Sequence, residues 1–541
     1  MPVETFFLIE ADETTHRTLD VTKVKSTKDL IRLAAQEFSI LETKGSQSQS
    51  TPLESIDGLG KSTGPIRVTI DGHSIRKPSG PSPLPFVGNH FEIYPDHLGN
   101  HGRLFLKYGS VIRTENMGTT TYLTDDPEVA RHLFKDGLFF TKKTSHPQHP
   151  LYFMRDQTGL FTCDTESPAF RASHKFVPPG LSPQAIDHYT PLILGCVEAS
   201  FKVFDELEAN GEIFNVYQYM FKLAGQVIYR VVLGLDLGHF DTVDKPPHEI
   251  IRSLGRYLEL MKRVQLRGSW YSYLPFGDPK LLRHERQRIF GLVAKAIESA
   301  RTSGEGDLPI QKAAKEATCV VDYLKRAVDD RGEKLPANLV LSNSVALIGA
   351  GFITSASLLS WLIYTLVRYP MTQERLRAEI VEQTPKCGEE WTFAKLQSMP
   401  FLNNFIKETQ RLYSPSFQAA RVANKDVVLP GGYHLPQHSV MIASFPHMQT
   451  NDRHWNEGEK FDPDRWNDST VRDRHPSAYI PFAAGSRGCP GSHVALHEVR
   501  VVLASLVARY SFQNVSTEPL EYDPEFLVTR PLNLYVRTMR L

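Results

Sequence analysis

The chain has 541 residues, 61 Lys and Arg against 61 Asp and Glu, and is 41% hydrophobic and 23% charged, which excludes a disordered or collagen-like chain. Its balanced charge carries no electrostatic footprint for nucleic acid. Five scattered cysteines (Cys163, Cys196, Cys319, Cys387, Cys489) with no C-x-x-C pair exclude a disulfide scaffold or a zinc ribbon and point to a reducing compartment.

The opening, MPVETFFLIEADETTHRT, meets acidic residues after an apolar run too short for a signal-peptide core or a membrane anchor. The chain is therefore expected in the cytoplasm, free or peripherally associated with the endoplasmic reticulum. An apolar strand at residues 6–9 and a second near 19–24 precede an amphipathic helix. That helix is opened by Ser26-Thr27-Lys28-Asp29, and Leu30, Ile31, Leu33, Ala34 and Phe38 share one face. A Ser/Gln-rich loop follows, and then Ile66, Val68 and Ile70 alternate as a strand. Residues 1–76 thus form either a small β-grasp-like α+β module or an irregular extension packed on the main domain. Within them, GLGKST at 58–63 has Ser55 where a phosphate-binding loop needs glycine and Gly64-Pro65 where it needs a helix, so a flexible turn is expected.

PSGPSPLPFVGN at 78–89 is a stiff Pro-rich hinge and sets a boundary near residue 77. From there to residue 541 helical periodicity dominates, with alternating runs near 111–124 and 421–442. This predicts one large, mainly α domain with a minor β portion. Residues 335–367 carry no charge and are long enough to span a bilayer. Ser342, Asn343, Ser344, Thr354 and Ser360 spread polarity around that helix, so it is expected to thread the core rather than face lipid.

The chemistry is concentrated in PFAAGSRGCPGSHVALHEVR at 481–500, where a cysteine sits in a Gly-rich turn just before a helix. Turn amides and the helix N-terminus favour a thiolate at Cys489, glycines allow close approach of a flat ligand, and Arg487 offers a cation to a ligand carboxylate. The pattern Phe482-x-x-Gly485-x-Arg487-x-Cys489-x-Gly491 resembles the haem-ligand signature of the cytochrome P-450 family at all five defining positions. Other segments resemble the family in turn. Glu408 and Arg411, three apart on one helix face, look like its buried ion pair, and Arg465 in FDPDRW looks like the arginine that completes a triad supporting the cysteine loop. Ala350-Gly351-Phe352-Ile353-Thr354 is similar to the oxygen-binding motif, in which a small pair lets the helix pass over the haem and the threonine handles protons. Ile353 departs from the acid that ordinarily precedes that threonine. Arg171 and His174 resemble residues turned towards the haem propionates, with Phe170 in place of a tryptophan. Phe161 in Gly159-Leu160-Phe161-Thr162 resembles the pocket wall of fatty-acid hydroxylase members.

The resemblance covers about residues 78–541 and implies the cytochrome P-450 fold with heme b, its iron held by Cys489. The implied activity is a monooxygenase placing one atom of dioxygen into a small apolar organic substrate, as part of specialised-metabolite biosynthesis. Phe161, Ala350, Phe417 and Gln418 are the expected pocket residues, and Thr354 the distal catalytic group. No reductase domain follows residue 541, so a separate NADPH-dependent reductase is the expected electron donor, with no transmembrane anchor and no nucleic acid as partner. Ile353 keeps open a peroxygenase, isomerase or dehydratase that needs no acid–alcohol relay, and the N-terminal segment keeps open a haem sensor.

Overall fold

The computed structural model describes residues 4–8, 16–20, 29, 32–33, 36, 69–70 and 73–541, the last stretch without 136, 301, 305, 384–390, 470–472 and 525. In the N-terminal segment β1 (Glu4–Leu8) pairs antiparallel with β2 (His16–Asp20), which lies earlier than the 19–24 expected for the second strand. Residues 29, 32, 33 and 36 are helical, as expected there. The helix opening at 26–28 and the GLGKST turn at 58–63 lie outside the described residues.

After a short helix at His90–Ile93, the first long helix of the main body is α1 (His97–Tyr108), capped by Asp96, whose carboxylate accepts from the Gly99 N–H at 3.0 Å. A hairpin of β3 (Val111–Asn116) and β4 (Thr119–Thr124) fills the predicted 111–124 run. Its two-residue turn, Met117 and Gly118, has positive φ at both positions, the geometry that matches strand twist. After β5 (Phe140–Thr141) come α2 (Pro168–Phe176), opened by Ser167 and Pro168, then α3 (Pro183–Ala209). The two-residue β6 (Phe214–Asn215) leads into α4 (Val216–Leu233), and α5 (Glu249–Leu266) follows.

The uncharged stretch is α6 (Ala337–Arg368), about 48 Å long at 1.5 Å per residue. Its most apolar window is 72% buried inside the fold, chiefly against α4, which accounts for its hydropathy without a bilayer. Then come α7 (Pro400–Leu412), β7 (Gln418–Ala423), β8 (Val440–Ser444), α8 (Ser492–Arg509), β9 (Tyr510–Asn514) and β10 (Tyr535–Arg540).

The larger sheet has the order β3-β4-β8-β7-β5 and is antiparallel except where β8 runs parallel to β4, with Val440 opposite Thr121. The three antiparallel strands β9, β10 and β6 tie the C-terminus to the start of α4. Helices supply the main core and the sheet a smaller one, so the mainly α expectation with a minor β portion holds.

Candidate functional site

Cys489 lies in a tight turn between the 3-10 segment Gly485–Arg487 and α8. Its N–H donates to the Phe482 carbonyl at 2.9 Å, and the Gly488 N–H to the Gly485 carbonyl at 3.0 Å. Gly485 has φ +75, and a Cβ at Gly488 would crowd the Gly485 carbonyl at 3.2 Å, so these two glycines are required by the turn itself. Gly491 differs: a Cβ there would meet only the Cys489 Sγ, at 4.0 Å. Cys489 is accessible, and desolvation by its surroundings pushes its thiol up. The Gly491 amide opposes that rise but is the lesser effect. Burial thus opposes the thiolate that the turn amides and helix dipole favour, which fits the expectation that a metal completes its stabilisation.

The loop is anchored from behind. Glu408 and Arg411 on α7 are fully buried and paired twice, at 2.8 and 2.9 Å. Arg465 Nε donates to the same carboxylate at 2.8 Å, and Trp466 Nε1 and the Asp462 N–H each do so at 3.0 Å. The Arg411 guanidinium also reaches the carbonyls of Gln449, Gly458 and Lys460. Trp466 packs edge-on against Tyr479, 4.7 Å between centroids, and the Tyr479 hydroxyl bonds back to Gln410 on α7 at 3.2 Å. Residue 480 then starts the cysteine loop, so the predicted triad is assembled, with Trp466, next to Arg465 in sequence, as a member that sequence reasoning missed.

On α6, Ala350 is exposed although its neighbours Phe352 and Ile353 are buried, so it borders open space. At Gly351 a Cβ would lie 2.6 Å from Cδ1 of Ile228, so its small size serves the approach of α4. The Thr354 hydroxyl donates to the Ala350 carbonyl at 2.7 Å. Ile353 is 2% exposed within the core and brings no proton-bearing group. The next residue does: the Ser355 hydroxyl bonds Glu498 Oε2 at 2.8 Å, and burial pushes the Glu498 carboxyl up to about 8. Glu498, on the helix after the cysteine, carries no sequence signal of its own.

Arg487 donates to the Cys163 carbonyl at 2.7 Å and lies 4.1 Å over the ring of buried Phe170. Phe170 in turn contacts His174, 5.2 Å between centroids. Phe170 thus holds α2 to the cysteine loop through an aromatic face rather than the indole N–H of a tryptophan. Arg171 and His174 are both exposed, and Arg171 bonds the carbonyl of Glu166 in its own turn at 2.9 Å. The loop bearing Phe161 is pinned to α6: Asn343 accepts from the Leu160 N–H at 2.7 Å and donates to Ser173 on α2 at 2.8 Å. Phe161 is 47% exposed beneath the Lys142 ammonium, 4.0 Å away.

Of the other expected pocket residues, Gln418 lines a cavity of about 100 Å³ between the larger sheet and α5. Phe417 is 4% exposed and packs against His97. The donor set fits a haem: an accessible but desolvated sulfur, a side-chain-free position beside it, and Arg487 from the same loop.

Residues 78–537 match the Cytochrome P450 family. The chain is 51% identical over 545 residues to cytochrome P450 monooxygenase alnD of Emericella nidulans, an alignment covering 100% of this chain and 98% of that protein. It is 33% identical over 218 residues to cytochrome P450 4F5 of Rattus norvegicus, covering 40% of this chain and 41% of that one. A similar partial likeness, 32% over 235 residues, links it to leukotriene-B4 omega-hydroxylase 3 of Mus musculus. The fold is shared with the crystal structure of the cytochrome P450DA heme domain, at TM-score 0.75 and 21% identity over 86% of this chain and 98% of that one. Sequence across the full length and fold across most of it agree: the chain belongs to the cytochrome P450 family and is a homologue of its monooxygenases.

Proposed function

We propose that the chain holds heme b through the Cys489 sulfur and inserts one oxygen atom from dioxygen into a small apolar organic substrate in specialised-metabolite biosynthesis, drawing electrons from a separate NADPH-dependent reductase. A thiolate-ligated haem, when bound, supplies the O–O cleavage chemistry for that insertion. The protein's part is donor, cradle and proton control. Cys489 donates the sulfur, and the Gly491 N–H draws charge from it. Arg487 is held by Cys163 and Phe170 and would pair with a carboxylate of the cofactor, and the exposed Arg171 and His174 stand on the adjoining helix. Phe482, Gly485 and Gly491 shape the loop, while Ala350 leaves room on α6. The Thr354 hydroxyl keeps its proton on the Ala350 carbonyl and its lone pairs open to accept another.

One observation carries this reading: a cysteine that is accessible yet desolvated, in a turn closed on Phe482 and anchored by the Glu408 network. The full-length likeness to a monooxygenase of Emericella nidulans, against less than half-length likeness to a leukotriene-B4 omega-hydroxylase of Mus musculus, supports the monooxygenase reading without importing that hydroxylase's substrate. The test is the reduced carbon monoxide spectrum. Wild type shows the red-shifted band of a thiolate haem and Cys489→Ser loses it; the band persisting in the variant ends the assignment.

Ile353 in the core favours a second reading, in which peroxide replaces dioxygen or an oxidised substrate is rearranged. Tight coupling of product to NADPH with dioxygen, and no product from peroxide, retires it.

A further inference from the structure

Away from the cysteine loop, the larger sheet carries a polar groove of about 490 Å³, divided by Pro147 and Gln148 from the cavity that Gln418 lines. Strand alternation builds its floor. Arg113 on β3 stands opposite Tyr122 on β4, and Tyr122 stands opposite Met441 on β8, which puts Arg113, Tyr122 and Ser439 on one face of the sheet.

Two pinned turns make the walls. The His146 N–H donates to the Lys143 carbonyl at 3.1 Å, and the His149 N–H donates to the His146 carbonyl at 2.9 Å. His438 sits at φ +68, a conformation uncommon for any residue with a side chain, and its N–H donates to the Ala423 carbonyl at 2.8 Å. The two imidazoles stack with 5.8 Å between centroids and 23° between planes. Both backbones are thus fixed in place before any ligand arrives, which lowers the cost of binding one.

The chemistry of this groove is one-sided. Arg113 and two histidines line it, and no carboxylate does. Arg113 meets Glu115 at a single long contact of 3.4 Å with both side chains partly exposed, and Asp426 accepts from the Gln437 N–H at 2.7 Å. Burial, and then the charges of His438 and Lys143, hold His146 below its ordinary pKa, and both of those neighbours are basic. Its Nδ1 accepts from the Gln148 N–H at 3.4 Å, which leaves the ring proton on Nε2 as a donor. Among the described residues no third His, Cys, Asp or Glu joins the pair to complete a metal site. A guanidinium, ring N–H donors and flat ring faces in a positive groove suit an oxyanion that carries an organic group.

We propose that this groove is a second ligand site, for a phosphate monoester, with the phosphate held by the Arg113 guanidinium and the imidazole donors and the organic part lying against the His146–His438 stack. A soluble phosphate ester and a phosphatidate headgroup present the same group, so the test has an arm for each.

The purified holoprotein is titrated by calorimetry with phenyl phosphate and with phenol, and sedimented with phosphatidylcholine vesicles with and without phosphatidate. Phenyl phosphate is expected to bind wild type at least about tenfold more tightly than phenol, the scale of one charge-assisted contact. Arg113→Gln removes that preference, and His146→Phe, which keeps a ring and loses the N–H, removes part of it. Arg375→Gln, which deletes a surface arginine elsewhere, leaves it unchanged. Capture by phosphatidate vesicles alone, lost in Arg113→Gln, supports the site with a lipid headgroup as the source. The proposal is refuted if neither phosphate binds, if Arg113→Gln binds as wild type does, or if Arg375→Gln loses as much. Should Arg113→Gln fail to fold by circular dichroism, His438→Ala takes its place with a smaller loss expected, and unchanged affinity refutes the site. Neither readout involves the haem, so a missing thiolate band in the carbon monoxide spectrum bears only on the monooxygenase reading.

Discussion

Gly351 and Ile228 touch so closely that a methyl group on Gly351 would lie 2.6 Å from Cδ1 and 2.7 Å from Cγ1 of Ile228. This contact is one that the glycine in the middle of α6 permits. Gly351→Ala is expected to lower stability by about 1–2 kcal/mol, overpacking outweighing the helix-propensity gain of up to about 1 kcal/mol. A double-mutant cycle with Ile228→Ala checks the cause: the combined loss should fall short of the sum of the single losses, because removing the ethyl arm relieves the clash.

Two arginine–carboxylate pairs of similar geometry should behave in opposite ways. Glu408→Gln leaves Arg411 fully buried with its carboxylate gone, and about 3–5 kcal/mol of destabilisation is expected. Arg375 and Asp464 pair at 2.6 Å with both side chains about half exposed, and Arg375→Gln should cost under about 1 kcal/mol. Urea midpoints of the two variants decide it.

Glu498 predicts a pH effect with a defined sign. Its ordinary pKa of 4.5 is raised to about 8 in the fold, so the folded chain keeps a proton that the unfolded chain releases. The contribution is neutral below the unfolded value, turns increasingly unfavourable between those two values, and is constant above the folded one. Glu498→Gln should therefore gain stability relative to wild type as pH rises through that window, by a few kcal/mol in total at roughly 1.4 kcal/mol per pH unit. Melting temperatures of both proteins across the window measure the difference, and parallel curves would contradict it.

Asn343 joins α6, α2 and the loop of Phe161 with one side-chain amide. Asn343→Leu strands the Leu160 N–H and the Ser173 hydroxyl, with an expected loss of about 1–3 kcal/mol. Faster amide hydrogen exchange at Leu160, with the exchange of α8 unchanged, is the accompanying signature.

Much of the site could be read in the chain because its parts are local. The cysteine turn needs glycine at fixed offsets to close on itself, Glu408 and Arg411 meet because residues three apart share a helix face, and the strand character of 111–124 follows from alternation. What local sequence does not carry is a meaning that depends on a distant neighbour: Gly351 fits against Ile228, and Phe417 is covered by His97 and Lys262.

Family, fold class and the turn that carries Cys489 follow from patterns within a few residues, since turn closure and helical periodicity are properties of short stretches. Folding alone settled which groups lose their water. The proton on Glu498, the lone ammonium of Lys262 and the raised thiol of Cys489 all arise from burial by segments far apart in the chain, and desolvation is set by three-dimensional surroundings that no local run of residues encodes.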